Sequence, residues 1–205
     1  MEAAATQQRQ IGAELAGDKA ARIVEAMRRS VANRGIAGST FDHVAREAGV
    51  SRGLLHYYFQ TKERLLLEVV RLECEARGEL LDQAVANAED ADGLIDGLVT
   101  AFREALGETG DSFQTFYELL LLGQRNDEVA DELRELAYRT RQRLGEALRA
   151  GAAAGVFTLH ADPIDFAGFL FVLADGMVIR RLSEPELSLE PLLNQAIGAA
   201  RALVA

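Results

Sequence analysis

Proline is absent from this 205-residue chain ahead of Pro163, and beyond it appears only at Pro185 and Pro191. Over that whole stretch no ring blocks a helix or withholds a backbone N–H, while alanine and leucine, two of the strongest helix formers, recur throughout. No alternation of apolar and polar residues lasts long enough to propose a strand, and no period repeats. The chain is therefore expected to be all-α, with about nine helices.

Ala21, Val24, Met27, Arg28 and Val31 recur at three- and four-residue spacing and define a first helix from Asp18, stopped by Gly35. Ser39 and Thr40 can cap a short second helix, FDHVAREA, with Phe41, Val44, Ala45 and Ala48 inward and Gly49 as its stop. Ser51 can cap a third, RGLLHYYF, and Thr61 a fourth that runs to about Asn87 and links the two halves of the chain. Gly-, Asp- and Pro-containing breaks separate further helices at about 91–107, 111–124, 127–155, 162–182 and 188–204.

Several function classes are excluded early. The lone Cys74 allows no internal disulfide, and His43 and His160 lie in no spacing of ligand type, so neither a metal nor a cofactor is expected. The most apolar run, Phe166 to Ala174, is closed by Asp165 and Asp175 and falls short of a bilayer span. MEAAATQQRQ lacks the basic-then-apolar order of a secretory signal, so a cytoplasmic protein with no membrane partner is expected. No nucleophile–base–orienter set, P-loop or dinucleotide-binding glycine pattern occurs, so no catalytic residue is named and an all-α enzyme is the distant alternative.

The net charge of −10 argues at first against a nucleic-acid partner, but the charge is unevenly spread. Residues 1–64 hold ten Lys/Arg against seven Asp/Glu, whereas the remainder holds twelve against twenty-five. A mildly basic head on an acidic body suggests two jobs in one chain, with an arm over 1–17, a head over 18–64 and a body over 65–205.

Two short helices joined by the turn AGVS form a helix-turn-helix, whose second helix enters the major groove while the first crosses the backbone. Gly49 permits a left-handed turn, Val50 plugs the angle, and Ala45 is small enough for close approach. The run TFDHVAREAGVSRGLLHYYFQTKERLL resembles the DNA-binding segment of the tetracycline-repressor (TetR-like) family, specifically over about residues 18–67. Gly151, Gly155 and Phe157, with the Ala174 to Gly176 segment, resemble the later half of some members. The resemblance implies a dimeric repressor of palindromic operator DNA, released by a small-molecule effector.

Carried over by position, the resemblance puts Arg52, Gly53 and Leu54 at the tip of the recognition helix and Lys62 on a phosphate. Tyr57 and Tyr58 fall near the DNA backbone, and Thr40 joins this set at the start of the second helix. Where many members have tyrosine, this chain has His56; either His56 or Tyr57 makes that contact.

The resemblance also implies a ligand cavity among the middle helices of the body. Phe102, Phe113, Phe116, Tyr117, Leu120 and Tyr138 are its candidate walls, and Gln114, Glu118 and Arg141 its candidate polar handles. The acidic composition leans toward a cationic or neutral amphiphile. A ligand-free architectural DNA-binding protein, the alternative reading, would need a filled body core.

DPIDFAGFLFVLADGMVIRRL is apolar nearly all round and must be covered on both sides. Phe169, Leu173, Gly176, Met177 and Arg180 share one stripe of it, and Leu192, Ala196, Ala199 and Leu203 one stripe of the last helix. Two such helices from each of two subunits would build a four-helix homodimer interface.

Overall fold

In the computed structural model of the chain, the backbone is described for residues 2–107 and 111–205, and side chains for 17–107 and 113–205. Among the described residues there are nine helices: α1 (Glu2–Gly38), α2 (Phe41–Ala48), α3 (Arg52–Phe59), α4 (Lys62–Ala86), α5 (Ala91–Leu106), α6 (Asp111–Gly123), α7 (Asp127–Ala153), α8 (Pro163–Ser183) and α9 (Glu190–Arg201). The only β-pairing among them is an isolated antiparallel bridge between Leu159 and Val204. None of these helices is long and apolar enough to cross a membrane.

Two boundaries differ from the sequence reading. Helical backbone begins at Glu2, covering the stretch expected as an arm, because EAAATQQRQIGAELAG is built of alanine, glutamine and glutamate with no proline to stop it; the side chains of residues 1–16 lie outside those described. The chain divides after Val70, not after residue 64. Leu65, Leu66, Val69 and Val70, on the first two turns of α4, are buried and belong with the head.

In the head, Ile23, Ala26 and Met27 of α1, Phe41, Val44, Ala45 and Ala48 of α2, and Leu55 and Phe59 of α3 are buried. The backbone of α1 leaves the helical region at Gly35, the stop read from the sequence. The starts of the following helices are capped as their residue types dictate. Thr40 accepts from the His43 amide, Ser51 from the Leu54 amide, and Thr61 from the Arg64 amide at 3.2 Å.

The body has its own core, in which Leu94, Ile95, Leu144, Leu148, Phe166 and Ala167 are almost wholly buried. Each large side chain of this kind contributes about 1.5–3 kcal/mol by leaving water. Asp90, Asn126 and Asp162 cap α5, α7 and α8 with their side chains. Phe157 folds back over Gly151, where a Cβ would come within 2.7 Å of its ring, and Thr158 and Ala205 exchange backbone hydrogen bonds that fasten the residues after α9.

Helices α7 and α8 meet at Gly145. A Cβ there would stand 3.0 Å from the Ile164 Cα, which is backbone and cannot swing aside. Gly145→Ala is expected to destabilise the chain by about 1–3 kcal/mol, despite alanine's better helix propensity, by forcing the helices apart. A lowered urea midpoint checks this; an unchanged or raised midpoint would show that the contact yields freely.

Candidate functional site

The turn between α2 and α3 is held from three sides. Gly49 adopts φ 66° and ψ 38°, a left-handed conformation that a Cβ would strain, and its N–H reaches back to the carbonyls of Ala45 and Arg46. Arg22, from α1, donates to the Ala48 carbonyl at 2.7 Å. Val50 is half-buried in the angle and its N–H bonds the Ala45 carbonyl at 2.9 Å.

With Leu55 and Phe59 turned inward, α3 offers its opposite face to solvent. Arg52, Gly53, His56 and Tyr57 are exposed there, Tyr57 by 76%, while Leu54 and Tyr58 are half-buried. His56 is not free in the way Tyr57 is. Its ring packs edge-on against Phe41 at 4.8 Å, and its nitrogens lie 3.4 Å from the Arg52 Nε and 3.3 Å from the Gln60 carbonyl. Thr40 spends its hydroxyl on the α2 cap and on His43, leaving little of it for a partner. Lys62 is half-buried and donates to the Ile36 carbonyl near the end of α1, a tie that the sequence did not reveal.

The charge of the head is largely matched internally. Glu25 pairs with Arg28 and Arg29, and Arg29 also with Glu47. The hydrogen bond from Arg28 holds the Glu25 carboxyl below its ordinary range, against a smaller opposing desolvation. Asp42, which the sequence reading passed over, holds Arg52 at 3.2 Å across the gap between α2 and α3. Arg34 and Arg46 are exposed without an ion-pair partner among the described residues.

The body holds a partly open cavity of about 370 Å³, within the usual range for a small-molecule pocket. Four expected residues line it: Phe102, Phe113, Phe116 and Arg141. The others do not. Tyr117 lies beside it and donates a long hydrogen bond, 3.3 Å, to Asp175, which is a lining residue. Gln114 and Glu118 bond each other along α6 at 2.9 Å, and Leu120 and Tyr138 are exposed. Missed from the sequence were Cys74 and Arg77 of α4, Phe171 of α8, and Asp175. Desolvation raises both the Asp175 carboxyl and the Tyr117 hydroxyl, the Asp175 charge adding to the shift on Tyr117.

Of the residues expected on the dimer stripe, some are exposed and others are turned inward. Leu173 lines the cavity, Phe169 packs against the core, and Met177 is buried. Ala196 also lines the cavity, and Leu203 packs on the core. Gly176, Ala199 and Leu192 are exposed, and Arg180 is exposed and paired with Glu184. The apolar side chains left open on α8 are instead Val172, at 69% exposure, Ile179 and Leu182. A helix apolar all round carries no signal to fix which stripe faces in. Among the described residues no group of three metal-ligating side chains occurs.

Residues 23–69 match the family described as "Bacterial regulatory proteins, tetR family". The chain is 32% identical over 175 residues to the HTH-type transcriptional regulator BetI of Rhizobium meliloti (strain 1021), an alignment covering 82% of this chain and 80% of that protein. Its fold is similar to that of a putative TetR-family transcriptional regulator from Rhodococcus sp., with TM-score 0.73, 22% identity, and coverage of 91% of this chain and 98% of the other. It is similar, too, to a putative transcriptional regulator from Saccharomonospora viridis in complex with choline, with TM-score 0.68, 24% identity, and coverage of 88% and 94%. At these identities the two structures speak to the fold alone.

The Asp42–Arg52 pair yields a prediction. Both side chains are well exposed, so the pair is worth at most about 1 kcal/mol. Asp42→Asn is expected to tighten DNA binding by up to about fivefold at low salt, by releasing Arg52 and removing a negative charge beside the exposed face of α3. Fluorescence anisotropy with a duplex probe measures it. Weakened binding would mean that Asp42 aims Arg52 instead of restraining it.

Proposed function

The chain belongs to the TetR family of bacterial transcriptional regulators, which are DNA-binding proteins and not enzymes, and on that premise we propose that it is a homodimeric repressor released from a palindromic operator by a small-molecule effector. The observation that carries the proposal is the pairing of an exposed recognition helix with an unfilled body. A cavity of about 370 Å³ favours an effector-responsive regulator over a ligand-free architectural protein, whose core would be filled. Access to chromosomal DNA puts such a protein in the cytoplasm.

In this reading α3 lies in the major groove with Arg52, Gly53 and Leu54 leading. Tyr57 makes the backbone contact, since its ring is open while His56 is turned onto Phe41 and Arg52. Lys62 keeps two ammonium protons free for a phosphate after its bond to Ile36, and Tyr58 and Thr40 are secondary contacts. The head serves as the DNA reader and the body as the ligand and dimer unit. The effector must bind the DNA-incompetent arrangement better than the competent one, or it shifts nothing. Helix α4 is the natural carrier, because Cys74 and Arg77 on it line the cavity and Lys62 begins it.

The dimer forms through the outward faces of α8 and α9, where Val172, Gly176, Ile179, Leu182 and Leu192 present an open apolar surface. Val172→Glu is expected to give a folded monomer, because that side chain is open in the single subunit and would bury an unpaired charge in the pair. Light scattering reads the mass and circular dichroism the helix content; a Val172→Glu dimer would remove this face from the interface.

Two-fold symmetry carries over to the target. A selection from random duplexes is expected to enrich a palindrome with half-site centres about 34–36 Å apart, or farther if two dimers cooperate. Enrichment of a single asymmetric site, or of nothing, would contradict the dimeric repressor.

A further inference from the structure

We propose that the cavity takes an amphiphile with an apolar chain and an anionic head, a carboxylate or a phosphate, and that Arg77 and Arg141 hold that head. The inference rests on the reading of the cavity as the effector site. The walls are mostly aliphatic and aromatic, with Phe102, Phe113 and Phe171 among them, so a chain of methylenes is what they can cover. Its charged lining residues are Arg77, Arg141 and Asp175, two cations against one acid.

Neither cation is closed off by an ion pair, whereas the acid already has a hydrogen-bond partner. Among the described residues neither arginine has an ion-pair partner, and Arg77 makes one hydrogen bond, from Nη2 to the Cys74 Sγ at 3.2 Å. A guanidinium has five N–H donors, so most of those on Arg77 and all of those on Arg141 remain unused. Asp175 already accepts from Tyr117, and desolvation lifts its carboxyl above the ordinary range against the pull of that hydrogen bond and of the Arg77 charge, so it offsets Arg77 only in part.

The same geometry disfavours a quaternary ammonium. Such a cation binds over aromatic faces, and here the guanidinium carbon of Arg77 already sits 4.6 Å above the centre of the Phe113 ring. A second cation would meet like charge there. The acidic composition, which leaned toward a cationic or neutral amphiphile, is thus no guide to the cavity, where Asp175 faces two arginines.

The test is isothermal titration of the full-length chain with dodecanoate, dodecyl phosphate and dodecyltrimethylammonium, each below its micelle concentration. The anions are expected to bind at least about tenfold more tightly than the ammonium, the size of a charge-assisted hydrogen bond. Comparing the two anions tells a carboxylate head from a phosphate one. From octanoate to dodecanoate the affinity is expected to rise about three- to fourfold per methylene until the cavity is full. Arg141→Gln, on an exposed side chain, and Arg77→Gln should each weaken the anions about tenfold, and Asp175→Asn, which keeps an acceptor for Tyr117, should strengthen them. Ammonium binding equal to or tighter than that of the anions, or anion binding indifferent to both arginines, overturns the ligand class and leaves the cavity as an effector site. Binding of none of the probes overturns both.

Discussion

The contact of α7 with α8 at Gly145 fixes the rotation of α8, and most of what the body can do follows from that rotation. Because Gly145 lacks a side chain, Ile164 reaches the α7 backbone and the first turn of α8 lies flat against it. Phe166 and Ala167 are thereby wholly buried, and a rigid helix carries the same phase to its far end. Leu173 and Met177 then face inward and Ile179 outward, with Val172 open at the cavity rim. One apolar helix thus serves as cavity wall and open surface at once.

The head solves a different problem with few charges. Its recognition helix is eight residues long and carries only Arg52 as a fixed cation, while Glu25, Glu47 and Asp42 neutralise much of the positive charge nearby. Strong nonspecific attraction to phosphate is therefore muted, and discrimination must come from a rigid presentation of α3. That rigidity is visible in the turn. The left-handed Gly49, the Arg22 bond to the Ala48 carbonyl and the Ser51 cap leave α2 and α3 no independent freedom.

The head was legible in the sequence because its determinants are local. A capping serine three residues before an amide, a glycine after the last apolar position, and Phe41, Val44, Ala45 and Ala48 at helical spacing each act within one or two turns. The cavity was half legible. Phe102, Phe113 and Phe116 were named from what the family resemblance implies for the middle helices, but Arg77 and Asp175 read as ordinary surface charges until α4, α6 and α8 are brought together. Gln114 and Glu118 were misjudged for a similar reason: four residues apart on α6, they satisfy each other. The dimer stripe could not be phased at all, since α8 offers apolar residues in every direction and only the Gly145 contact chooses among them.

Two helices are shared between the cavity and something else, and this sharing is where an effector gains leverage. On α8, Met177 at the cavity and Ile179 on the open face are two residues apart, about 200° around one rigid helix. On α4, Cys74 and Arg77 belong to the cavity, whereas Leu65 and Leu66 are in the core of the head. Close-packed helices do not deform by compression, so a guest that moves the inner face of α8 moves its outer face as well. On the proposed mechanism an anion drawn to Arg77 pulls on α4 directly, and its chain pushes on α8. The free energy available for release is then the difference in how well those two helices fit the guest in the two arrangements, and not the total affinity of the guest.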